Sequence, residues 1–445
     1  MNVFSRLVNR ISGPGLGAKL VRMASGSFVI NVTGAGIAFA LQLFLARILN
    51  ASGYGAYMYV ITWINFLTLV SVLGFDTASL RFVPQYIAKK EVKLALGFIV
   101  RSKQIVLFTS LCIIVAMSSY LLVDKQNLGI ELYQVFIVGL ALLPIHSLIR
   151  INGSVLQGLQ CLLLSLTIQV IIRPILIATG VVTAFYYCNN KETLVEAAMI
   201  SNVLSGLVVA ICLSLYLKRR LVKIEVGQKA KFNTKNWIKT ALPLLLNSGF
   251  HVVLAQGDIL LIGYLLNAEQ VGLYAAANKT ASLVIFILTA VNSVAAPMIS
   301  QLYGEGDMRK LQRVATISAR VTFVVSLPIC LTLMVFNEYI ISMFGEEFIK
   351  GGVVLSILSG AQLITALTGS VGYILIMTGN QNRAIGILAG AAIINLSLNV
   401  LLIPEYGIVG AAIATVASTL IWNILMYIST YKLVGIDSTI LDHNR

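Results

Sequence analysis

Long apolar runs dominate the pattern of hydrophobic and polar positions along this chain. A helix needs about 20 apolar residues to cross a bilayer, and runs of that length recur along nearly the whole sequence. The pattern predicts twelve membrane spans, numbered here in chain order: 26–49, 53–75, 99–123, 132–157, 160–187, 194–217, 237–265, 270–300, 314–336, 353–378, 384–403 and 407–432. The sequence therefore predicts an all-α integral membrane protein.

Composition supports the same class of protein. Of the 445 residues, 58% are hydrophobic and only 11% are charged, and the mean hydropathy is +0.90. A soluble domain carries roughly 25% charged residues, so a surface with this few charges must face mostly lipid. The five cysteines are scattered through apolar segments without metal-ligand spacing, and the sequence has no phosphate-binding loop. No cofactor or metal centre is expected.

The residues behind the net charge of +15 predict how the chain is oriented in the membrane, through their distribution among the loops. They do not indicate a nucleic-acid partner. Basic residues concentrate in alternate short loops, whereas the remaining loops carry mostly acids. The positive-inside rule therefore places both termini in the cytoplasm. The richest basic loop runs from Lys218 to Lys239, where we expect contact with anionic lipid head groups, or alternatively with a soluble partner.

That basic loop also divides the chain into domains. We predict an N-terminal lobe at 1–217 that begins with an interfacial segment, a cytoplasmic linker at 218–236, a C-terminal lobe at 237–433 and a cytoplasmic tail at 434–445.

The two halves share a sequence motif. Leu49-Asn50-Ala51, followed by Gly55 and Tyr57, recurs 217 residues later as Leu266-Asn267-Ala268, followed by Gly272 and Tyr274. Because each half has six spans, the repeat predicts two lobes in parallel orientation around a central cleft, as in many transporters. The spacing of Gly386 and Gly390 predicts a close contact between helices.

Ionisable residues inside the spans are the candidate functional groups, because a charge in hydrocarbon is costly and usually faces protein or water. The cations are Arg47, Arg150, Arg173 and Lys279, against the single acid Asp258. A purely structural role remains an alternative for several of these residues. Arg47 and Arg150 can reach the interface, and Asp258 can pair with Lys279 rather than bind a coupling H⁺ or Na⁺. His146 and His251 are expected to be packing residues.

The excess of cations favours an anionic substrate. Arginine stays charged in every environment and binds phosphate oxygens through two parallel hydrogen bonds. Arg173 lies near the middle of span 5, just before Pro174, and cannot easily reach the interface. It is therefore the strongest candidate for binding a phosphate or diphosphate.

Several motifs resemble those of polysaccharide flippases in the multidrug/oligosaccharidyl-lipid/polysaccharide (MOP) superfamily. They span essentially the whole chain: Leu45-Ala46-Arg47-Ile48-Leu49-Asn50 with Gly53-Tyr54-Gly55-Ala56-Tyr57, Leu73-Gly74-Phe75-Asp76-Thr77-Ala78-Ser79-Leu80-Arg81-Phe82, Arg173-Pro174, and Pro404 with Tyr406-Gly407 and Gly410-Ala411-Ala412. Each motif is loose, but their order and spacing together are fairly specific.

The resemblance implies a MATE-like fold that works by alternating access and is not an enzyme. It implies transfer of undecaprenyl-diphosphate-linked oligosaccharide repeat units to the outer leaflet of a bacterial inner membrane, for O-antigen, capsule or exopolysaccharide. A polymerase and a chain-length regulator are the expected protein partners. By position, Arg47, Arg150, Arg173 and Lys279 correspond to the family's cationic cavity, and Asp76 and Arg81 to a gate or structural pair at the cytoplasmic end.

Three other functions remain open. A multidrug exporter with the same fold is the nearest alternative, although it is expected to have more acids in its cleft. A flippase for the peptidoglycan precursor shares the chemistry but is expected to have more than twelve spans. A polysaccharide polymerase or ligase would need a large external loop, and the predicted external loops are short.

Overall fold

The computed structural model describes residues 16–123, 129–187, 191–222 and 230–440. Most of the proposed interfacial segment and part of the basic linker lie outside these residues. In chain order the α-helices are Leu16–Val72, Phe75–Ala88, Val92–Val123, Ile130–Leu140, Leu142–Gly158, Leu162–Leu166, Arg173–Tyr187, Lys191–Val222, Thr234–Leu265, Ala268–Ala281, Ile285–Glu305, Met308–Val335, Asn337–Ser342, Gly352–Thr368, Val371–Met377 and Gln381–Val434. Thr167–Ile172 is π-helical, and Ser282–Val284 and Glu346–Gly351 are 3₁₀-helical.

The helices give twelve membrane spans. Among the described residues, ten helical segments are long and apolar enough to cross a bilayer. Two of these segments contain two spans each, because the backbone breaks at Asn50 (φ 59°) and at Gly407 (φ 58°). Glycine adopts positive φ without strain, and asparagine does so more readily than most other residues. The predicted all-α fold with about twelve spans is confirmed.

Among the described residues, four spans contain irregularities that the apolar pattern does not reveal. Span 8 contains the 3₁₀ turn Ser282–Val284. Span 4 is divided at Ala141, and span 10 is divided at Gly369, where φ is +66°. Span 5 contains the π-helical turn Thr167–Ile172 directly before Arg173. Such turns widen the helix locally and are frequent at functional sites.

The chain forms two compact units that interleave along the sequence. Unit 1 comprises residues 1–41 and 63–248, and unit 2 comprises residues 42–62 and 249–445. The ends of the spans are named here, cytoplasmic or outer, by the orientation that the basic loops predict. The outer ends of spans 1 and 2 belong to unit 2, and the first turns of span 7 belong to unit 1. The sequence-based lobe boundaries remain a prediction.

Unit 1 packs around an aromatic cluster at the cytoplasmic end of its spans. Trp237 is fully buried, and its ring lies 5.4 Å from that of Phe98 in an edge-to-face arrangement. The indole Nε1 of Trp237 donates a hydrogen bond of 2.9 Å to the hydroxyl of Tyr86. The backbone amide of Lys231 also donates to the carbonyl of Lys93. These contacts connect the end of the basic linker to the first six spans.

In unit 2 the two copies of the repeated motif contact each other. A Cβ added to Gly55 would lie 1.7 Å from the carbonyl oxygen of Ala268, and one added to Gly272 would lie 2.1 Å from that of Ala51. Each copy therefore places its glycine against the backbone of the other copy. Only glycine permits this approach, and the reciprocal contact explains why the motif is repeated.

The chain continues along unit 2 after span 12. Ile436, Asp437 and Ser438 are buried. The side chain of Gln312 donates to the carbonyl of Asp437 at 2.6 Å and accepts from its amide at 2.8 Å. The described part of the predicted tail is thus packed against span 9.

The expected close contact at Gly386 and Gly390 is wrong. A Cβ at either position would meet no atom of the described structure within 4 Å. Spacing alone does not show which face of a helix contacts its neighbour, and these two glycines lie on an open face.

We predict that Gly55→Ala destabilises the protein by about 1–3 kcal/mol, because the added methyl group overlaps the backbone of Ala268. The control is Gly390→Ala, which meets open space and should be neutral or stabilising by about 0.5–1 kcal/mol. Thermal unfolding of the purified protein in detergent measures both. Equal midpoints for the two variants would contradict the close contact.

Candidate functional site

Arg173 is the charged residue most enclosed by polar groups of unit 1. It follows the π-helical turn of span 5, about 16 Å from the cytoplasmic start of that span at 1.5 Å per residue. One guanidinium NH₂ group contacts Nε2 of His146 on span 4 and donates to Oδ1 of Asn202 on span 6 at 3.0 Å. Three spans therefore converge on one arginine deep in the membrane.

Arg150 forms an ion pair with Asp76. The distance from its NH₂ group to Oδ2 of Asp76 is 2.8 Å, and the Arg150 side chain is 38% exposed. Asp76 is largely buried in the first turn of helix Phe75–Ala88, where its Oδ1 accepts from the amide of Thr77 at 2.8 Å. Arg81 is exposed and its guanidinium lies by the ring of Phe82. The structure therefore pairs Asp76 with Arg150 and not with Arg81.

Two contacting pairs in unit 1, Asp76 with Arg150 and His146 with Arg173, form a track of four polar side chains. His146 and Arg150 are one turn apart on helix Leu142–Gly158 and so share a face. His146 lies about 18 Å from the cytoplasmic end of that helix at 1.5 Å per residue, at nearly the depth of Arg173. The track runs from Asp76 through Arg150 and His146 to Arg173, from the cytoplasmic end to the middle of the membrane.

Arg47 has a structural contact in unit 2. Its Nε donates to the carbonyl of Met343 at 2.7 Å, at the outer end of the spans. Close by, Glu347 accepts from the backbone amide of Ala51 at 2.7 Å, which satisfies an otherwise free donor at the start of span 2. These contacts fix the outer turn between spans 1 and 2, and substrate binding by Arg47 remains a prediction.

Lys279 lies deep in unit 2 with an exposed side chain. Lys279 lies about 16 Å along helix Ala268–Ala281 from its outer end, at 1.5 Å per residue. A charged ammonium group facing hydrocarbon at this depth is costly. We therefore infer that the exposed face of Lys279 borders water.

Asp258 is buried within a network of neutral donors rather than paired with Lys279. Oδ2 accepts from the hydroxyls of Tyr274 at 2.6 Å and Thr415 at 2.5 Å, and Oδ1 accepts from Nδ2 of Asn399 at 2.7 Å. Asp258 is only 2% exposed. The described structure therefore does not pair Asp258 with Lys279.

Two further oxygens lie buried beside this carboxylate. Oδ1 of Asn395 and Oδ1 of Asn399 have no hydrogen-bond partner among the described residues, and both side chains are fully buried. An unsatisfied buried acceptor is unfavourable unless a hydrogen-bond donor, such as an ordered water, or a cation completes it. Carboxylate, amide and hydroxyl oxygens together are a donor set suited to a hard cation.

Sequence reasoning missed most partners of these charges. Asn202 was not singled out, and Asn395 and Asn399 carried only a weak signal, a spacing of one helical turn in an apolar span. Thr415 gave no signal, because hydroxyl residues are common in membrane helices, and Tyr274 was noted only as part of the repeated motif. Arg320 was also overlooked; its Nε donates to the carbonyl of Ile440 at 3.2 Å in unit 2.

The fold is that of MOP-superfamily transporters. An inward-facing multidrug resistance MATE family transporter matches with a TM-score of 0.71 and 15% identity, over 93% of this chain and 98% of that one. A MOP superfamily transporter from Pyrococcus furiosus matches with a TM-score of 0.65 and 15% identity, over 94% and 95% of the two chains. At this identity the likeness establishes the fold.

Sequence comparison identifies the family within this class. Residues 20–303, more than half of the chain, match the family described as polysaccharide biosynthesis protein, and residues 243–401 match the MatE family. The chain belongs to the polysaccharide biosynthesis protein family. It is a multi-pass membrane transporter and not an enzyme, as the sequence predicted.

Two relatives from Haloferax volcanii carry functional names. The chain is 26% identical over 423 residues to the probable low-salt glycan biosynthesis flippase Agl15, covering 93% of this chain and 84% of the relative. It is 28% identical over 171 residues to the probable flippase AglR, covering 38% and 36% of the two chains. The resemblance to polysaccharide flippases is confirmed.

We predict that Asp76→Ala lowers stability by about 1 kcal/mol, a modest value because Arg150 is partly exposed and its ion pair is screened by water. Arg81→Ala, on the same helix, should change stability by less than about 0.5 kcal/mol. A double-mutant cycle with Arg150→Ala, followed by thermal unfolding, measures the coupling. Coupling of Asp76 to Arg81 instead of Arg150 would show that the pair is wrongly assigned.

Proposed function

We propose that this protein transfers a polyprenyl-diphosphate-linked oligosaccharide from the cytoplasmic to the outer leaflet by alternating access. The observation that carries the proposal is Arg173, a permanent cation at mid-membrane depth that His146 and Asn202 hold in place. A family of polysaccharide biosynthesis proteins and a relative named as a glycan biosynthesis flippase support the same class of substrate.

The chemistry of the charges fits a diphosphate better than a cationic drug. Arg173 and Lys279 each lie about 16 Å into the membrane at 1.5 Å per residue, and each belongs to a different unit. Arginine binds two phosphate oxygens with matched geometry, and lysine contributes a compact charge. Asp258, the acid predicted within the spans, has its carboxylate enclosed by neutral donors. We propose that Arg173 binds the diphosphate, with Arg150 on its path from the cytoplasm. Separately, we propose Lys279 as a substrate-binding cation of unit 2.

The finer points of this function remain proposals. An undecaprenyl carrier, a role in O-antigen or another surface polysaccharide, a bacterial inner membrane and docking to a polymerase or chain-length regulator come from the sequence resemblance alone. Cytoplasmic termini rest on the basic loops, such as the one that contains Lys218, Arg219 and Arg220.

We propose that Asp258 binds the coupling ion, either H⁺ or Na⁺. Its carboxylate accepts from the hydroxyl of Thr415 and the amide of Asn399, and the amide oxygens of Asn395 and Asn399 are buried without a hydrogen-bond partner among the described residues. Occupation by a cation would complete the two unsatisfied acceptors. Binding at this position would favour one arrangement of spans 7, 11 and 12, and that preference is the basis of coupling.

We predict that Arg173→Ala reduces outward transfer of the lipid-linked glycan by about 10- to 100-fold. This is the change in affinity expected when one charged hydrogen-bonding group is lost. The assay measures leaflet accessibility of the glycan in vesicles at matched protein levels. Arg101→Ala is the control, since Arg101 is exposed at the cytoplasmic end of span 3 and contacts only Gln104 among its described partners.

The outcomes of this assay separate the two candidate functions. Loss with Arg173→Ala but not with Arg101→Ala supports the flippase. No glycan transfer by the wild type, together with efflux of cationic drugs, would show that the protein is a multidrug exporter with the same fold.

We predict that Asp258→Asn abolishes the response of transfer to an imposed ion gradient, because the amide keeps the shape of the side chain but carries no charge. The measurement is the transfer rate in vesicles with a Na⁺ gradient, a pH gradient or neither. A wild-type response to one gradient that persists unchanged in Asp258→Asn would exclude Asp258 as the coupling residue.

A further inference from the structure

We propose that His146 occupies the phosphate position on Arg173 when the site is empty, and that it takes up a proton when the anion binds. This inference rests on the proposed function, because it assigns proton linkage to the same anion site. It gives His146 the role of a positioning residue and a titrating ligand, rather than the packing role expected from the sequence.

The hydrogen bond between the two side chains fixes the charge state of the empty site. The guanidinium of Arg173 can only donate, so Nε2 of His146 must accept. An imidazole that accepts at Nε2 carries its proton on Nδ1 and is neutral. An imidazolium has two donors and no acceptor, so it cannot make this contact.

The charges around His146 are mostly positive. Among the described residues, the charged groups that act on His146 are Arg173 of span 5 and Arg150 on its own helix. Helix Phe75–Ala88 contributes Asp76, which is already paired with Arg150, and span 6 contributes the neutral amide of Asn202. A proton on His146 would add a third positive charge to this part of unit 1.

A phosphate group bound to Arg173 reverses this balance. Its oxygens accept from the guanidinium in place of His146, which frees Nε2. Its negative charge then favours the imidazolium, which can donate a second hydrogen bond to the same phosphate. One proton passes from solvent to His146 as one anion binds, and it returns to solvent when the anion leaves.

The sign of the pH dependence follows from this linkage. The bound state holds more protons than the empty state, so binding strengthens as the pH falls through the ordinary histidine range near about 6.5. At full linkage the affinity changes by up to about tenfold per pH unit. A histidine that only positions Arg173 would weaken binding when replaced, without any proton uptake.

The test is titration calorimetry of the full-length protein in lipid nanodiscs. The probe is farnesyl-diphospho-N-acetylglucosamine, a disubstituted diphosphate that does not itself titrate between about pH 6 and about pH 8. Measuring the heat in two buffers of different ionisation enthalpy gives the number of protons taken up per bound probe.

We expect the wild type to take up a fraction of a proton approaching one, and to bind more tightly at the lower pH. His146→Gln keeps an acceptor for Arg173 but cannot titrate, so it should bind the probe with proton uptake close to zero and an affinity independent of pH. His146→Asn is the second variant, used if the glutamine variant is not recovered folded.

Equal proton uptake by the wild type and both variants overturns the inference, as does a wild type that binds without proton uptake. Binding by the wild type that Arg173→Ala leaves unchanged would overturn the proposed anion site itself. The failure of the proposed function is thus distinguishable from a failure of the proton linkage alone.

Discussion

The cost of placing a charge in hydrocarbon is the constraint on which the rest of this structure depends. In unit 1, Arg173 contacts His146 and Asn202, and Arg150 pairs with Asp76. In unit 2, Asp258 is enclosed by neutral donors. The side chains that face outward are instead large and apolar, such as Phe108, Leu111 and Val324. Each polar contact inside a unit therefore also fixes the rotation of the helices that supply it.

The two units use this constraint differently. Unit 1 holds the polar track, with the permanent charges of Arg150 and Arg173, which leads from the predicted cytoplasmic end of span 4 to the middle of span 5. In unit 2 the carboxylate of Asp258 is buried within the spans, and the amide oxygens of Asn395 and Asn399 are buried without a hydrogen-bond partner among the described residues. The first arrangement suits an anionic ligand, and the second suits a proton or a small cation. A transporter that couples a substrate to an ion needs both kinds of site, and each unit supplies one.

The sequence predicted the spans well, because an apolar run of about 20 residues has few alternatives to a membrane helix. It also predicted a break at 50–52 between spans 1 and 2 and one at 404–406 between spans 11 and 12. The backbone breaks at Asn50 and, one residue beyond the second predicted gap, at Gly407. The apolar pattern did not give the break at Ala141 or the π-helical turn before Arg173, although each lies within three residues of a proline, Pro144 or Pro174. A proline removes a backbone donor and crowds the carbonyl four residues before it, which disturbs the helix at these positions.

The candidate site was predicted only as isolated charges. Arg173 was identified because its depth excludes contact with the interface, but its partners come from spans 4 and 6. Which residues meet depends on how each helix is rotated, and a helix that is apolar on all faces gives little information about rotation. For the same reason the pairing of Asp76 with Arg150, and the open face at Gly386, were not foreseen.

The central claim is that the cations in the spans bind the anionic part of a lipid-linked glycan. The most direct measurement is a cryo-electron microscopy structure of the protein in a nanodisc with a bound polyprenyl-diphosphate disaccharide. The account predicts diphosphate density within hydrogen-bonding distance of Arg173, with His146 displaced from the guanidinium. Diphosphate density at another site, with the contact between Arg173 and His146 intact, would contradict it.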